Sequence, residues 1–155
     1  MIIKTPTKYF LVAGSSEGYS PLNAFDGALL DSGVGNLNLV KMTSIIPPRC
    51  QKISPCPIDP GSLVPVAYAS IWSDIQDEFI SASVAAALPA DPDRPGLIME
   101  YSARGRKKDI ENIARHMAEQ GMLLRKQDIK EIQSICIEYR VKKIGAAFAG
   151  VVLWD

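Results

Sequence analysis

The apolar positions of this chain fall into short runs punctuated by glycine and proline, with two stretches that keep the helical period. Tyr9 to Ala13 reads as a short strand, and Gly14-Ser15-Ser16-Glu17-Gly18 as the loop that ends it. The first helix follows: Ser20 suits the N-cap, Pro21 the first helical position and Gly33 the exit. Leu22, Phe25 and Leu29 share its inward face, and Asp26 stands out as a carboxylate in an otherwise apolar helix. Gly33-Val34-Gly35-Asn36 makes a glycine-permitted turn into a strand from Leu37 to Met42. That run continues through Thr43-Ser44 to Ile45 and Ile46. It is stopped by Pro47 and Pro48, which cannot donate ladder hydrogen bonds.

Arg49 to Leu63 is proline-rich and reads as an irregular connection. Val64 to Ser73 and Glu78 to Leu88 are strands joined by a turn, and Ala90 to Pro95 is a loop. Leu97, Ile98 and Met99 mark a buried strand over Gly96 to Tyr101, followed by a basic turn from Ser102 to Lys108. The second helix spans Asp109 to Gln120, with Ile110, Ile113, Ala114 and Met117 as its apolar stripe and Gly121 as its end. Ile132 to Lys143 alternates as a half-exposed strand does. Ile135, Ile137, Tyr139 and Val141 take one face, and Ser134, Glu138, Arg140 and Lys142 the other. Ala146 to Trp154 is dense in small residues and reads as a strand buried on both faces. Two helices and roughly seven or eight strands, without strict β-α alternation, predict an α+β fold of layered sheets. The expected organisation is a single domain over residues 1–155.

Composition removes several classes of function. The 155 residues are 47% apolar and 22% charged with a formal net charge of zero, which argues against a nucleic-acid partner. The longest apolar run, Gly145 to Trp154, falls short of the ~20 residues that span a bilayer, so no membrane association is expected. Met1 to Phe10 carries two lysines and lacks the apolar run of a signal peptide. Cys50, Cys56 and Cys136 are an odd number without C-x-x-C spacing, which suits reduced thiols and a cytoplasmic location. With His116 as the only histidine, a Ser-His-Asp catalyst and a multi-histidine metal site are both disfavoured, and His116 falls off the stripe of its helix.

The remaining candidates for chemistry are few. Thr43-Ser44 is either a strand end with two small hydroxyl residues or a peptide bond that cuts itself by attack of the serine hydroxyl on the preceding carbonyl. Glu100 shares a strand face with Ile98. It either reaches water at the strand end or is desolvated, which favours the protonated form and makes a proton donor. Gly14 to Gly18 is a plain turn or a small anion cradle, without the lysine and spacing of a P-loop. From the pattern alone Asp26 reads as a solvated carboxylate.

Several blocks taken together resemble the pyruvoyl-dependent arginine decarboxylase family. They are Leu11 to Gly18, Pro21 to Leu30, Gly33 to Asn36, Thr43-Ser44-Ile45-Ile46-Pro47-Pro48 and Gly96-Leu97-Ile98-Met99-Glu100-Tyr101, in that order and spacing. The likeness runs through the strand Ile132 to Val141 and the C-terminal strand, and is weakest over Arg49 to Gly61. The resemblance implies a four-layer α-β-β-α sandwich and a homotrimer, or a dimer of trimers, with active sites at subunit interfaces. It also implies self-cleavage between Thr43 and Ser44. The products are a β chain of residues 1–43 and an α chain of residues 44–155 that begins with a pyruvoyl group made from Ser44. The family more often has serine before the cut, and threonine changes only the residue left at the new C-terminus.

In such enzymes the pyruvoyl carbonyl takes the substrate amine as a Schiff base and its conjugated amide accepts electrons, replacing pyridoxal phosphate without a metal. By the same resemblance the substrate is L-arginine and the products agmatine and carbon dioxide. Glu100 matches the proton donor, Asp26 the carboxylate that binds the guanidinium, and Asn38 a further substrate-site residue. Six extended residues span about 20 Å, so Asn38 reaches Ser44 only through a bend or from a neighbouring subunit. The competing expectations are a pyruvoyl decarboxylase for another amino acid, an unprocessed trimeric binding or structural homologue, and, last, a phosphate-binding module.

Overall fold

A computed structural model of the protein describes residues 4–155. Met1 to Ile3, part of the segment read for a signal peptide and of the expected domain, lie outside the described residues. In sequence order the elements are β1 (Lys8–Glu17), α1 (Pro21–Asp31), β2 (Asn38–Lys41), β3 (Ile45–Ile46), β4 (Gln51–Lys52) and β5 (Leu63–Ser73). β6 (Phe79–Pro89), β7 (Gly96–Arg104), α2 (Lys107–Leu124), β8 (Ile129–Arg140) and β9 (Gly145–Trp154) complete the fold. The strands form a five-stranded sheet in the order β2-β5-β9-β1-β4 and a four-stranded sheet in the order β3-β7-β6-β8.

Alternation along the strands decides how these sheets stack. Ala67, Ala69, Ala147, Ala149 and Val151 of the first sheet face Ala82, Val84, Ala86 and Ile98 of the second, and short side chains on both sides let the sheets approach closely. The opposite face of the five-stranded sheet, with Phe10, Val12, Val66, Phe148 and Val152, is covered by Ala24 and Ala28 of α1. That of the four-stranded sheet, with Ala85, Ala87 and Leu97, is covered by Ala114, Ala118 and Met122 of α2. The layers are therefore α-β-β-α, as the resemblance implies. β6 and β9 are buried on both faces because each lies between a helix and the facing sheet.

The helices sit closer to the sheets than the sequence suggests, and this moves several elements. Gly14 is not the start of a loop: β1 continues to Glu17, paired with β9 from Gly14↔Phe148 to Glu17↔Gly145. A Cβ at Gly14 would stand 2.4 Å from the Ala28 carbonyl oxygen, so the glycine marks where α1 presses on its strand rather than an anion cradle. Because α1 docks through Ala24 and Ala28, Leu22 is turned outward and is 74% exposed, while Phe25 and Leu29 pack on the core as expected. Ser20 caps the helix by accepting from the Asn23 amide at 3.2 Å, and Gly33 follows it at φ +86°.

Gly121 lies within α2 rather than at its end. A Cβ there would meet the Leu97 side chain at 2.2 Å, so the residue is small to admit β7, and the helix runs on to Leu124. Ile113 is accordingly exposed, and Ala118 and Met122 carry the buried stripe onward. The polar face of β8 is covered by α2 instead of water: the Ser134 hydroxyl donates to Glu111 at 2.8 Å and accepts from Arg115 at 2.9 Å.

Candidate active site

The Thr43-Ser44 pair occupies a short stretch where the backbone leaves the five-stranded sheet for the four-stranded one. β2 is the edge of the five-stranded sheet, and the Met42 amide just past it still donates to the Val66 carbonyl of β5 at 3.1 Å. Two residues later the Ser44 carbonyl accepts from the Ile98 amide of β7 at 2.7 Å, and β3 then pairs antiparallel with β7 through Ile45↔Leu97 and Ile46↔Gly96. The peptide bond between Thr43 and Ser44 is thus a bridge whose two abutments are hydrogen-bonded to different sheets. Thr43 is exposed and Ser44 half-buried. Pro47 and Pro48 end the pairing at β3, and Arg49 beyond them turns the backbone with φ 60°.

Glu100 lies two residues beyond Ile98 on β7 and opposite Val84 of β6, on the face that looks toward the other sheet. At the rise of a strand that places it about 7 Å along β7 from the residue that holds the Ser44 carbonyl. Its two oxygens have different surroundings. Oε1 pairs with Lys41 Nζ at 3.1 Å, and Oε2 is buried with no hydrogen-bond partner among the described residues. Lys41, the last residue of β2, also lies 4.5 Å from the centroid of the Tyr68 ring, within cation–π range. Tyr68 in turn packs against Phe148 at 5.3 Å and Phe25 at 6.3 Å between centroids, which links the cluster to α1.

The structure therefore brings together Thr43, Ser44 and Glu100, and adds Lys41 and Tyr68, which the sequence pattern did not single out. Lys41 left one signal, as the only charge in the apolar run that leads to the junction. Asp26 is exposed on α1, beside Phe25. Asn38 stands at the far end of β2, where its side-chain amide donates to the Gly61 carbonyl at 2.8 Å and its backbone amide to the Ser62 carbonyl. β2 is extended from Asn38 to Lys41, so Asn38 lies at the end of the strand away from the Thr43-Ser44 junction. His116 pairs with Glu119 on the outer surface of α2, away from these groups. Among the described residues no group of three or more His, Cys, Asp or Glu is placed to hold a metal ion, and no helix is long and apolar enough to cross a membrane.

Fold and junction together describe one class of architecture: an α-β-β-α sandwich with a Thr-Ser pair and a carboxylate where the backbone steps between the two sheets. The family model described as pyruvoyl-dependent arginine decarboxylase matches residues 8–154. A protein of that name from Methanocaldococcus jannaschii is 49% identical over 152 residues, covering 97% of this chain and 92% of its own length. Its namesake from Methanococcus aeolicus is 48% identical over 151 residues with the same coverage, and that from Pyrococcus abyssi 41% identical over 153 residues, with 97% and 96% covered. The chain belongs to the pyruvoyl-dependent arginine decarboxylase family.

Proposed function

We propose that this protein cuts its own Thr43–Ser44 bond and then decarboxylates L-arginine to agmatine and carbon dioxide, using a pyruvoyl group derived from Ser44. The observation that carries this reading is the junction itself, anchored on one sheet through Met42 and on the other through Ser44, with Glu100 on the adjoining strand. Relatives that align over nearly the whole sequence bear the activity in their names.

In the cut, Ser44 Oγ attacks the Thr43 carbonyl carbon and the backbone C–N bond breaks, leaving an ester. Loss of the Ser44 α-proton then expels the Thr43 carboxylate. Addition of water with loss of ammonia leaves the pyruvoyl group at the head of residues 44–155, beside a separate polypeptide of residues 1–43. Tethering to two sheets keeps the reacting atoms from drifting apart before the cut and holds both new ends afterwards.

The residues present fit such a group. It would supply an electrophilic carbonyl and a conjugated amide that accepts electrons as carbon dioxide leaves. The oxygen of that amide is the Ser44 carbonyl oxygen, to which the Ile98 N–H already donates at 2.7 Å. A fixed backbone donor gains strength as negative charge builds on its acceptor. Glu100 would return a proton to the substrate α-carbon, and its buried, unpartnered Oε2 is an oxygen free to carry one. Asp26 would bind the guanidinium. Asn38 is tied to Gly61 in its own subunit, which supports its serving the Ser44 of a neighbouring subunit in a homotrimer or dimer of trimers. Exposed Tyr19, Leu22, Leu63 and Trp72 supply apolar surface for that association. We place the protein in the cytoplasm.

An intact mass spectrum, with and without a carbonyl-trapping reductant, tests the proposal. Two species dividing at Thr43 are expected, with the larger blocked at its N-terminus and shifting in mass on trapping. A single polypeptide that stays uncut on long incubation would overturn it and leave a binding or structural protein.

A further inference from the structure

Lys41 and Glu100 come from strands of different sheets and meet at the junction. Lys41 Nζ holds Oε1 of Glu100 at 3.1 Å, and Oε2 is buried without a partner among the described residues. A carboxylate has two oxygens of equal basicity in water, and here the protein makes them unequal. We propose that Lys41 is a positioning residue for proton delivery: by occupying Oε1 it leaves Oε2 as the oxygen that carries the proton to the substrate α-carbon. The inference rests on Glu100 being the proton donor.

The step balances without an added reactant. The O–H bond at Oε2 breaks, a C–H bond forms at the α-carbon that lost carbon dioxide, and the electron pair stays on Oε2, its charge shared across the carboxylate with the Oε1 that Lys41 holds. Water supplies the next proton. The ammonium stays paired with Oε1 throughout, so the proton is exchanged at Oε2 alone. The Tyr68 ring fixes where that cation sits: Nζ lies 4.5 Å from its centroid, and the ring packs against both Phe25 and Phe148. The pair also joins the two sides of the cut, since Lys41 belongs to residues 1–43 and Glu100 to residues 44–155.

A stability role predicts something different. The Lys41 side chain is 52% exposed, and ion pairs so exposed contribute little to folding. Losing the pair should leave the fold and the cut intact, so an effect on turnover has to come from the chemistry.

The test compares Lys41→Met, Lys41→Arg and Glu100→Gln, each checked for the cut by intact mass. Turnover is run in D2O, and the configuration of deuterium at the agmatine carbon is read by NMR. For Lys41→Met the expected result is full cutting, a kcat lower by roughly tenfold or more with KM little changed, and mixed deuterium configuration. The loss should be smaller than the ~10²–10⁴-fold a general acid itself supplies. Lys41→Arg should restore kcat and a single configuration. Lys41→Met with unchanged kcat and a single configuration, while Glu100→Gln is slow, would overturn the role of Lys41 alone. Glu100→Gln with unchanged turnover would remove the proton-donor reading and this inference with it.

Discussion

At the scale of residues, Asp26, proposed to bind the guanidinium, tests the choice of substrate. It is exposed on α1, and substitutions at such positions typically change stability by no more than about 0.5 kcal/mol. Asp26→Asn is expected to fold and cut normally while raising the KM for arginine by about tenfold or more, since charge-assisted hydrogen bonds contribute roughly 1.5–3 kcal/mol. Steady-state kinetics with arginine and with an amino acid of uncharged side group measure this. Unchanged arginine kinetics would point to a different amino acid as the substrate. Ser44 and Glu100 stand out in the sequence as candidates, the Thr-Ser step before two prolines and the carboxylate after a buried strand, and it is the resemblance that attaches roles to them. Lys41 does not, because its meaning comes from a partner 59 positions away (100 minus 41) on the other sheet. Periodicity along one strand carries no information about that meeting.

Elements show the same division. The long strands follow from alternation or from apolar and small-residue runs, and the helices from their period, with a readable cap at α1 alone, whereas β3 and β4, of two residues each, are too short to leave a period at all. Helix ends depart from the sequence pattern where glycine serves packing between layers, as Gly121 does against Leu97. The start of α2 shows another long-range dependence. Arg106 at its N-cap makes no capping bond with its side group, and Glu138 of β8 accepts from the Lys107 amide at 2.8 Å instead. That amide first, and the Arg106 guanidinium after it, hold the Glu138 carboxyl below its usual range against the desolvation of the site.

A depressed folded-state value means stability that is present above the unfolded value and lost as pH falls through the lowered one. Glu138→Gln should therefore be less stable by about 0.5–1 kcal/mol near neutrality, after allowance for solvent screening at the helix end. The gap should close progressively below the ordinary glutamate value of about 4.3. Chemical denaturation of both proteins at neutral and acidic pH reads this. A gap that persists unchanged in acid would mean that shape, not charge, is what Glu138 contributes.

For the whole molecule, the position of β1 decides what the proposed cut would leave behind. β1 lies inside the five-stranded sheet, paired along its whole length with β9 and at its start with β4, and it travels with α1 and β2 in residues 1–43. Forty-three residues, counted from Met1 to Thr43, fall near the size at which a polypeptide rarely buries enough surface to fold alone. The remaining fragment would expose β9 as a bare edge and uncover the face that α1 protects. Cutting one bond thus changes the molecularity of folding: a fold that a single polypeptide could find by itself becomes an encounter of two, subject to mass action. After denaturation and dilution, the cut protein should recover poorly, and adding excess fragment 1–43 should raise its yield. An uncut Ser44→Ala protein should show no response to the added fragment. The proposed cut would make the fold hard to recover once lost, so each molecule would keep its self-made cofactor only as long as it stays folded.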